Sequence, residues 1–139
     1  MRHFASFYSD PGIPATDRLI VVAASHHRLA WIHPFGDGNG RVARLQSQAA
    51  MVRCGLDSDG LWTLSRGLAR AKPAYFQHLQ AADQQRANDF DGRGNLSDAA
   101  LSRFCRFFLR WMPTSPSSSP TCPWMGSNNP KKEIRDLEI

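Results

Sequence analysis

The chain has 139 residues and a formal net charge of +5, from 17 Lys and Arg against 12 Asp and Glu. That length suits one domain with its own core. The basic residues form no block long enough to line a nucleic-acid groove, and no apolar run is long enough to cross a membrane, so we expect neither partner.

The cysteine usage and the first residues bear on the compartment. Three cysteines lie at positions 54, 105 and 122 without paired spacing, which is typical of a protein from a reducing compartment. The first ten residues lack the apolar segment of a signal peptide. We therefore expect a cytoplasmic protein, and the composition leaves its oligomeric state open.

The first half of the chain predicts helices around a short loop. Residues 1–9 have the pattern of a helix end, and residues 11–15 that of a turn. Residues 16–32 are apolar on nearly every side, which is typical of a buried central helix. Within it, His26 and His27 lack metal-ligand spacing, so we interpret them as ordinary helix residues. A second helix follows the loop, and its predicted apolar stripe is Val42, Leu45, Ala49 and Val52.

The second half predicts further helices. Residues 62–71 and 73–86 form two of them, with a proline in the first turn of the second, and residues 89–95 form a loop. Ser97 is placed to cap a last helix. Its apolar stripe is Leu101, Phe104, Phe108 and Trp111. With no strand-like alternation anywhere, the pattern indicates an all-α bundle.

The composition changes abruptly after residue 112. Residues 113–139 begin with a stretch rich in Pro and Ser, and they carry too few periodic apolar residues to pack. We expect this tail to be disordered, which leaves residues 1–112 as the folded unit. So sharp a switch also suggests a frameshifted or truncated reading frame.

Residues 33–44 read H-P-F-G-D-G-N-G-R-V-A-R and bring together residues suited to phosphate binding. Glycine lets backbone N–H groups approach an anion, and a helix N-terminus directly after the turn adds further donors. Arg41 and Arg44 are three apart, so they share one helical face. The sequence therefore predicts a phosphate cradle from Gly38, Asn39 and Gly40 with these two arginines.

Three other residues of the stretch have separate predicted roles. Asp37 offers a carboxylate beside the phosphates, where Mg²⁺ takes one or two carboxylates plus phosphate oxygens. His33 can accept a proton near neutral pH and is the candidate general base. Phe35 is expected to insert into the core and fix the loop between the two helices.

The stretch resembles the Fic family motif, H-x-F-x-D/E-G-N-G/K-R-x-x-R, at all eight of its specified positions. Together with the flanking helices the resemblance covers roughly residues 1–112. It implies an all-α Fic-type helical bundle around a central pair of motif helices. Fic proteins are mostly protein adenylyltransferases, which move AMP from ATP to a hydroxyl of a target protein and release pyrophosphate.

The resemblance also implies roles for individual residues. His33 would deprotonate a Ser, Thr or Tyr hydroxyl of the target protein, Asp37 would bind Mg²⁺, and the G-N-G turn with both arginines would hold the ATP phosphates. Family members often contact the nucleotide through a Tyr-Tyr pair, which here reads Tyr75-Phe76, although helical spacing alone indicates two core aromatics. The Doc-like kinase branch has Lys at position 40 and no Gly at position 38, so this chain is closer to the AMP-transferring branch.

Other family features are not found in the sequence. We expect the β-hairpin flap that holds the target chain to be missing upstream, and we find no inhibitory S/T-x-x-x-E-G/N motif. Two alternatives to AMP transfer therefore stay open. One is a catalytically silent fragment that binds nucleotide, and the other is a Fic enzyme that uses another nucleotide or transfers phosphate.

Overall fold

The computed structural model describes residues 2–8, 12–14, 17–56, 63–91 and 94–112. These residues form six helices, and their only β pairing is one isolated bridge between Gln85 and Leu96. The prediction of an all-α fold is thereby confirmed, whereas the predicted tail, residues 113–139, lies outside the described residues. The helices are α1 Arg2–Tyr8, α2 Arg18–Ile32, α3 Asn39–Arg53, α4 Leu64–Arg70, α5 Lys72–Ala81 and α6 Asp98–Leu109.

Helix α2 is the centre of the bundle, as its apolar composition predicts. It packs against α1, α3 and α6, and its buried positions extend from Val22 to Leu29. The two ends are less enclosed, since the side chains of Ile20 and Trp31 are about half exposed. The pair α2 and α3 thus forms the middle of the fold, with the loop of residues 33–38 connecting them.

The predicted apolar stripe of α3 was wrong, because that side of the helix faces outward. Leu45 is 71% exposed and Val52 is 43% exposed. The buried side of α3 consists instead of Asn39, Ala43, Ser47, Ala50 and Met51. Small side chains on this side allow the backbones of α2 and α3 to approach closely, and helical spacing by itself does not indicate which of two possible stripes is covered.

Helices α4 and α5 differ from their predicted bounds. Helix α4 begins at Leu64, whose backbone N–H donates to Gln48 Oε1 at 2.8 Å, while Trp62 lies outside the described residues. Helix α5 ends at Ala81 rather than at residue 86. The chain after it turns back toward the start of α6, because the backbone N–H of Ser97 donates to the carbonyl of Gln84.

Helix α6 supplies the largest apolar side chains of the core, as its stripe predicts. Phe104 and Phe108 are fully buried, and Leu101 and Trp111 pack against the same core while partly exposed. The cap is also as predicted, since Ser97 Oγ accepts from the backbone N–H of Ala100 at 3.1 Å. In the part of the chain that the structure describes, no helix is long and apolar enough to cross a membrane.

Candidate functional site

The motif loop lies where the sequence places it, between the end of α2 and the start of α3. Helix α2 ends at Ile32, and His33 closes it with left-handed backbone angles, φ 50° and ψ 54°. Helix α3 begins at Asn39 after Gly38, whose φ is 80°. Few non-glycine residues adopt positive φ, so the backbone at His33 is held in a sparsely populated conformation.

The loop is held by the side chain of Asn39, which the sequence analysis assigned to the phosphates. Asn39 is 4% exposed. Its Oδ1 accepts from the backbone N–H of Phe35 at 2.9 Å, and its Nδ2 donates to the Phe35 carbonyl at 2.6 Å. The side-chain amide of Asn39 therefore closes the loop. The group of Asn39 that can bind a phosphate is its backbone N–H, which lies in the first turn of α3.

The expectation that Phe35 fixes the loop by inserting into the core was wrong. Its side chain is 46% exposed. The backbone of Phe35, rather than its ring, is the part that anchors the loop, because both of its polar groups bond to Asn39. The sequence carried no signal for this contact, because the burial of Asn39 is visible only in the structure.

The two glycines of the motif make room for the two arginines. A Cβ at Gly38 would lie 3.2 Å from Arg41 Nη2, and a Cβ at Gly40 would lie 3.3 Å from Arg44 Nη1. Both guanidinium groups therefore lie close to the N-terminal turn of α3. By helix geometry the first N–H groups of α3 lack intrahelical acceptors, so the structure brings backbone donors and two cations to one place.

Asp37 lies on the exposed rim of this turn and is paired with an arginine. Its Oδ2 accepts from Arg41 Nη2 at 3.0 Å, with the Asp37 side chain 92% exposed and that of Arg41 74% exposed. Among the described residues, no group of three His, Cys, Asp or Glu side chains could hold a metal ion. A Mg²⁺ ion at Asp37 would thus take its remaining ligands from phosphate oxygens and water, as Mg²⁺ commonly does.

His33 is exposed at the start of the same loop, directly after α2. Its Nδ1 lies 3.3 Å from the carbonyl oxygen of Ala30, one turn earlier in α2. When Nδ1 carries the proton and donates to this carbonyl, Nε2 keeps a lone pair that can accept a proton from a substrate. The arrangement suits a general base, and its tautomer follows from the hydrogen bond.

Tyr75 and Phe76, the weaker candidates for nucleotide contact, lie in different environments. Tyr75 is 5% exposed and its hydroxyl lies 2.9 Å from His26 Nε2, so it is a core residue. Phe76 is 52% exposed, which makes the interpretation of Phe76 as a core aromatic wrong. A nucleotide contact by either residue stays a prediction.

His26 has a structural role that the sequence analysis missed. It is fully buried in α2, and its Nδ1 lies 2.9 Å from Ser47 Oγ in α3. Ser47 Oγ donates to the carbonyl of Ala43 at 2.9 Å, and the Tyr75 hydroxyl lies 2.9 Å from His26 Nε2, so each ring nitrogen of His26 has a hydrogen-bond partner. Burial lowers the pKa of His26 to about 3 and raises the pKa of Tyr75, which keeps both groups neutral.

The buried network of His26, Ser47 and Tyr75 is influenced by the charge of a motif residue. The positive charge of Arg44 lowers the pKa of both His26 and Tyr75, in each case less than burial changes it. His27, the neighbour of His26, is also buried, and its Nε2 lies 2.9 Å from Asp83 Oδ1. A histidine pair in an otherwise apolar central helix was the signal for buried hydrogen bonds.

A cavity of about 170 Å³ lies elsewhere, between α1, α2 and α3. Its lining includes Arg18, Ser25, Gln46 and Arg53, and it contains no residue of the motif from His33 to Arg44. The motif therefore does not line this cavity.

Comparisons with known proteins find similarity around the motif. The Fic/DOC family matches residues 1–50, which include the whole of the loop and the first turns of α3. Residues 1–50 are thus similar to the Fic/DOC family. The similar curated proteins include a protein adenylyltransferase Fic of Nematostella vectensis, 58% identical over 33 residues, which are 24% of this chain and 8% of the relative.

A longer match is to the protein adenylyltransferase Fic of Aedes aegypti, 36% identical over 84 residues, or 60% of this chain and 16% of that relative. The protein adenylyltransferase fic-1 of Caenorhabditis briggsae is 43% identical over 47 residues, 34% of this chain and 9% of that relative. The chain thus spans less than a fifth of the length of these relatives, and no solved structure matches it. The all-α fold of the described residues agrees with this similarity to the Fic/DOC family.

Proposed function

We propose that this Fic segment belongs to a protein adenylyltransferase, which transfers AMP from Mg²⁺-ATP to a Ser, Thr or Tyr hydroxyl of a target protein. The observation that supports this most is the convergence at the start of α3, where backbone donors and two guanidinium groups lie close to one turn and Arg41 pairs with Asp37. His33 begins the loop that leads into this turn. The names of the curated relatives point to the same activity.

The residues of the chain would divide the reaction as follows. The backbone N–H groups of Gly38, Asn39 and Gly40, with Arg41 and Arg44, bind the phosphates. Mg²⁺ at Asp37 would neutralise phosphate charge and orient the polyphosphate. The target hydroxyl then attacks the α-phosphorus, its proton passes to His33 Nε2, and the bond from the α-phosphorus to the bridging oxygen of pyrophosphate breaks.

A second candidate is nucleotide binding without transfer. The exposure of the motif favours it, because Asp37 and Arg41 are both mostly solvent exposed and the described residues provide no enclosure around them. A site that excludes water strengthens the electrostatic stabilisation of a transition state, whereas a site open to water does not. Two further alternatives, the use of another nucleotide and the transfer of phosphate, would involve the same residues in the same contacts. A labelled nucleotide distinguishes them, because the labelled group that becomes attached to the protein shows what was transferred.

The test uses the full-length protein and ATP labelled at either the α or the γ phosphate. We expect the α label on protein and none of the γ label, with release of pyrophosphate. The γ label on protein would indicate phosphate transfer instead. Calorimetric binding of ATP with no protein label from any nucleotide would support the silent alternative, and unchanged ATP affinity in both Arg41→Ala and Arg44→Ala would contradict the assignment of the phosphate site.

A further inference from the structure

We propose that Arg41 exchanges partners when the nucleotide binds, leaving Asp37 for a phosphate while Mg²⁺ takes the carboxylate. Arg41 would then determine the specificity of the site for the form of the metal. It would weaken the binding of a free divalent cation, whereas a cation that arrives bound to a polyphosphate would be accepted. This inference rests on the proposed function, since it concerns the same site.

The first observation is the occupied carboxylate. Arg41 Nη2 donates to Asp37 Oδ2 at 3.0 Å, so a positive charge lies on the proposed metal ligand. An arriving cation must displace this guanidinium or share the carboxylate with it. Either requirement weakens the binding of the cation alone.

The second observation is the small number of ligands. Among the described residues no group of three His, Cys, Asp or Glu side chains could hold a metal ion. Asp37 therefore has at most one further ligand of these types among the described residues, and a hard cation held by so few protein ligands gains little over its hydration shell. Phosphate oxygens supply the missing ligands, and a phosphate also supplies the anion that Arg41 needs once it leaves Asp37.

The third observation is that Arg41 can reach both the Asp37 carboxylate and the turn that forms the phosphate cradle. A Cβ at Gly38 would lie 3.2 Å from Arg41 Nη2, so the absence of a side chain there allows the guanidinium to lie over the turn that forms the phosphate cradle. The pair is solvent exposed on both sides, and exposed ion pairs are weak. A rotation of the Arg41 side chain can therefore exchange the partners without a change of backbone.

The test measures binding of Mn²⁺ alone, as a probe for Mg²⁺, by the electron paramagnetic resonance signal of the unbound ion. Removing an exposed ion-pair partner should tighten Mn²⁺ binding about two- to fivefold in Arg41→Ala. The matched control is Arg44→Ala, which removes the same charge from the same helix but no contact with Asp37, and it should leave Mn²⁺ affinity nearly unchanged. Asp37→Asn should abolish binding at this site in either background.

A second measurement follows the Arg41 side chain directly. The Nε–Hε resonance of Arg41 should shift in Asp37→Asn, and it should shift again in the unmutated protein when ATP and Mg²⁺ are added together, but not when Mg²⁺ is added alone. Arg41→Lys, which keeps the charge, should bind free Mn²⁺ with an affinity between those of the unmutated protein and Arg41→Ala.

Two outcomes separate this inference from the proposed function. Normal binding of Mg²⁺-ATP together with equal Mn²⁺ affinities in the unmutated protein and in Arg41→Ala would overturn the exchange alone. Failure of the unmutated protein to bind Mg²⁺-ATP would overturn the proposed function and the exchange with it. An equal gain of Mn²⁺ affinity in Arg41→Ala and Arg44→Ala would show a general charge effect and also overturn the exchange.

Discussion

His33 is the only side chain between residues 33 and 44 that can take a proton near neutral pH, and its backbone lies in the left-handed region. We expect His33→Ala in the full-length protein to lower the rate of transfer by at least about 10²–10⁴-fold, which is the usual contribution of a general base. ATP affinity should change little, because the predicted phosphate contacts do not include His33. Steady-state rates and calorimetry of ATP binding check both expectations.

The control for this substitution is His33→Asn. Asparagine tolerates left-handed backbone better than alanine but cannot act as a base near neutral pH, so it separates the proton acceptor from the turn. Both variants should be equally inactive. Transfer by His33→Asn within a few fold of the unmutated rate would mean that His33 shapes the turn and that another group takes the proton.

Asn39 holds the loop through two hydrogen bonds from one buried amide. Asn39→Ala leaves both polar groups of the Phe35 backbone without this partner, so we expect a loss of about 1–3 kcal/mol in the free energy of unfolding. The matched variant Asn39→Asp keeps the acceptor for the Phe35 N–H but loses the donor to its carbonyl. Denaturant unfolding should rank the three proteins with the unmutated chain as the most stable, and equal stability of all three would contradict the clamp.

At the scale of elements, His26 joins α2 to α3 through Ser47 and to α5 through Tyr75. Its pKa is about 3 in the folded protein, against an ordinary value of 6.5, because burial disfavours the charged ring. Between these values the unfolded chain binds more protons than the folded one. His26 therefore makes folding less favourable as the pH falls below about 6.5, with a slope of up to about 1.4 kcal/mol per pH unit.

The measurement is the free energy of unfolding in denaturant between pH 7 and pH 5, for the unmutated protein and for His26→Gln. Glutamine does not titrate, so the variant should be less stable at pH 7 but should lose less stability on acidification. A parallel pH dependence of the two proteins would mean that His26 does not carry the effect. Tyr75→Phe, which removes the hydroxyl that pairs with His26 Nε2, should cost about 1–3 kcal/mol at pH 7.

At the scale of the whole molecule, α6 closes the core over α2. Phe104 is fully buried, and its ring lies near those of His26, His27 and Phe108. Phe104→Ala should reduce the free energy of unfolding by about 3–5 kcal/mol, since it removes a large buried side chain and leaves a cavity.

The matched control is Phe90→Ala, because the Phe90 side chain is fully exposed. Its substitution should change stability by less than about 0.5 kcal/mol. Equal losses in both variants, measured by denaturant unfolding followed by circular dichroism, would contradict the position of α6 in the core.

The helical class, the loop between α2 and α3 and the apolar stripe of α6 could all be predicted from the sequence. Each depends on short-range chemistry: glycine and proline at the loop, a serine cap at Ser97, and large aromatic residues at helical spacing in α6. The convergence of Arg41 and Arg44 on one turn was equally predictable, because three residues along a helix place two side chains on the same face.

Tertiary structure decided three features: which side of α3 is covered, where α5 ends, and which groups His26 and Asn39 bond. Leu45 and Val52 have the spacing of a core stripe, yet a helix packs with the side on which a neighbour can approach closely, and α2 lies against Ala43 and Ser47. A buried polar side chain must find its hydrogen-bond partner on whatever element lies beside it. Sequence spacing describes one helix at a time, so it located the motif between two helices but not the contacts between helices that hold the motif in place.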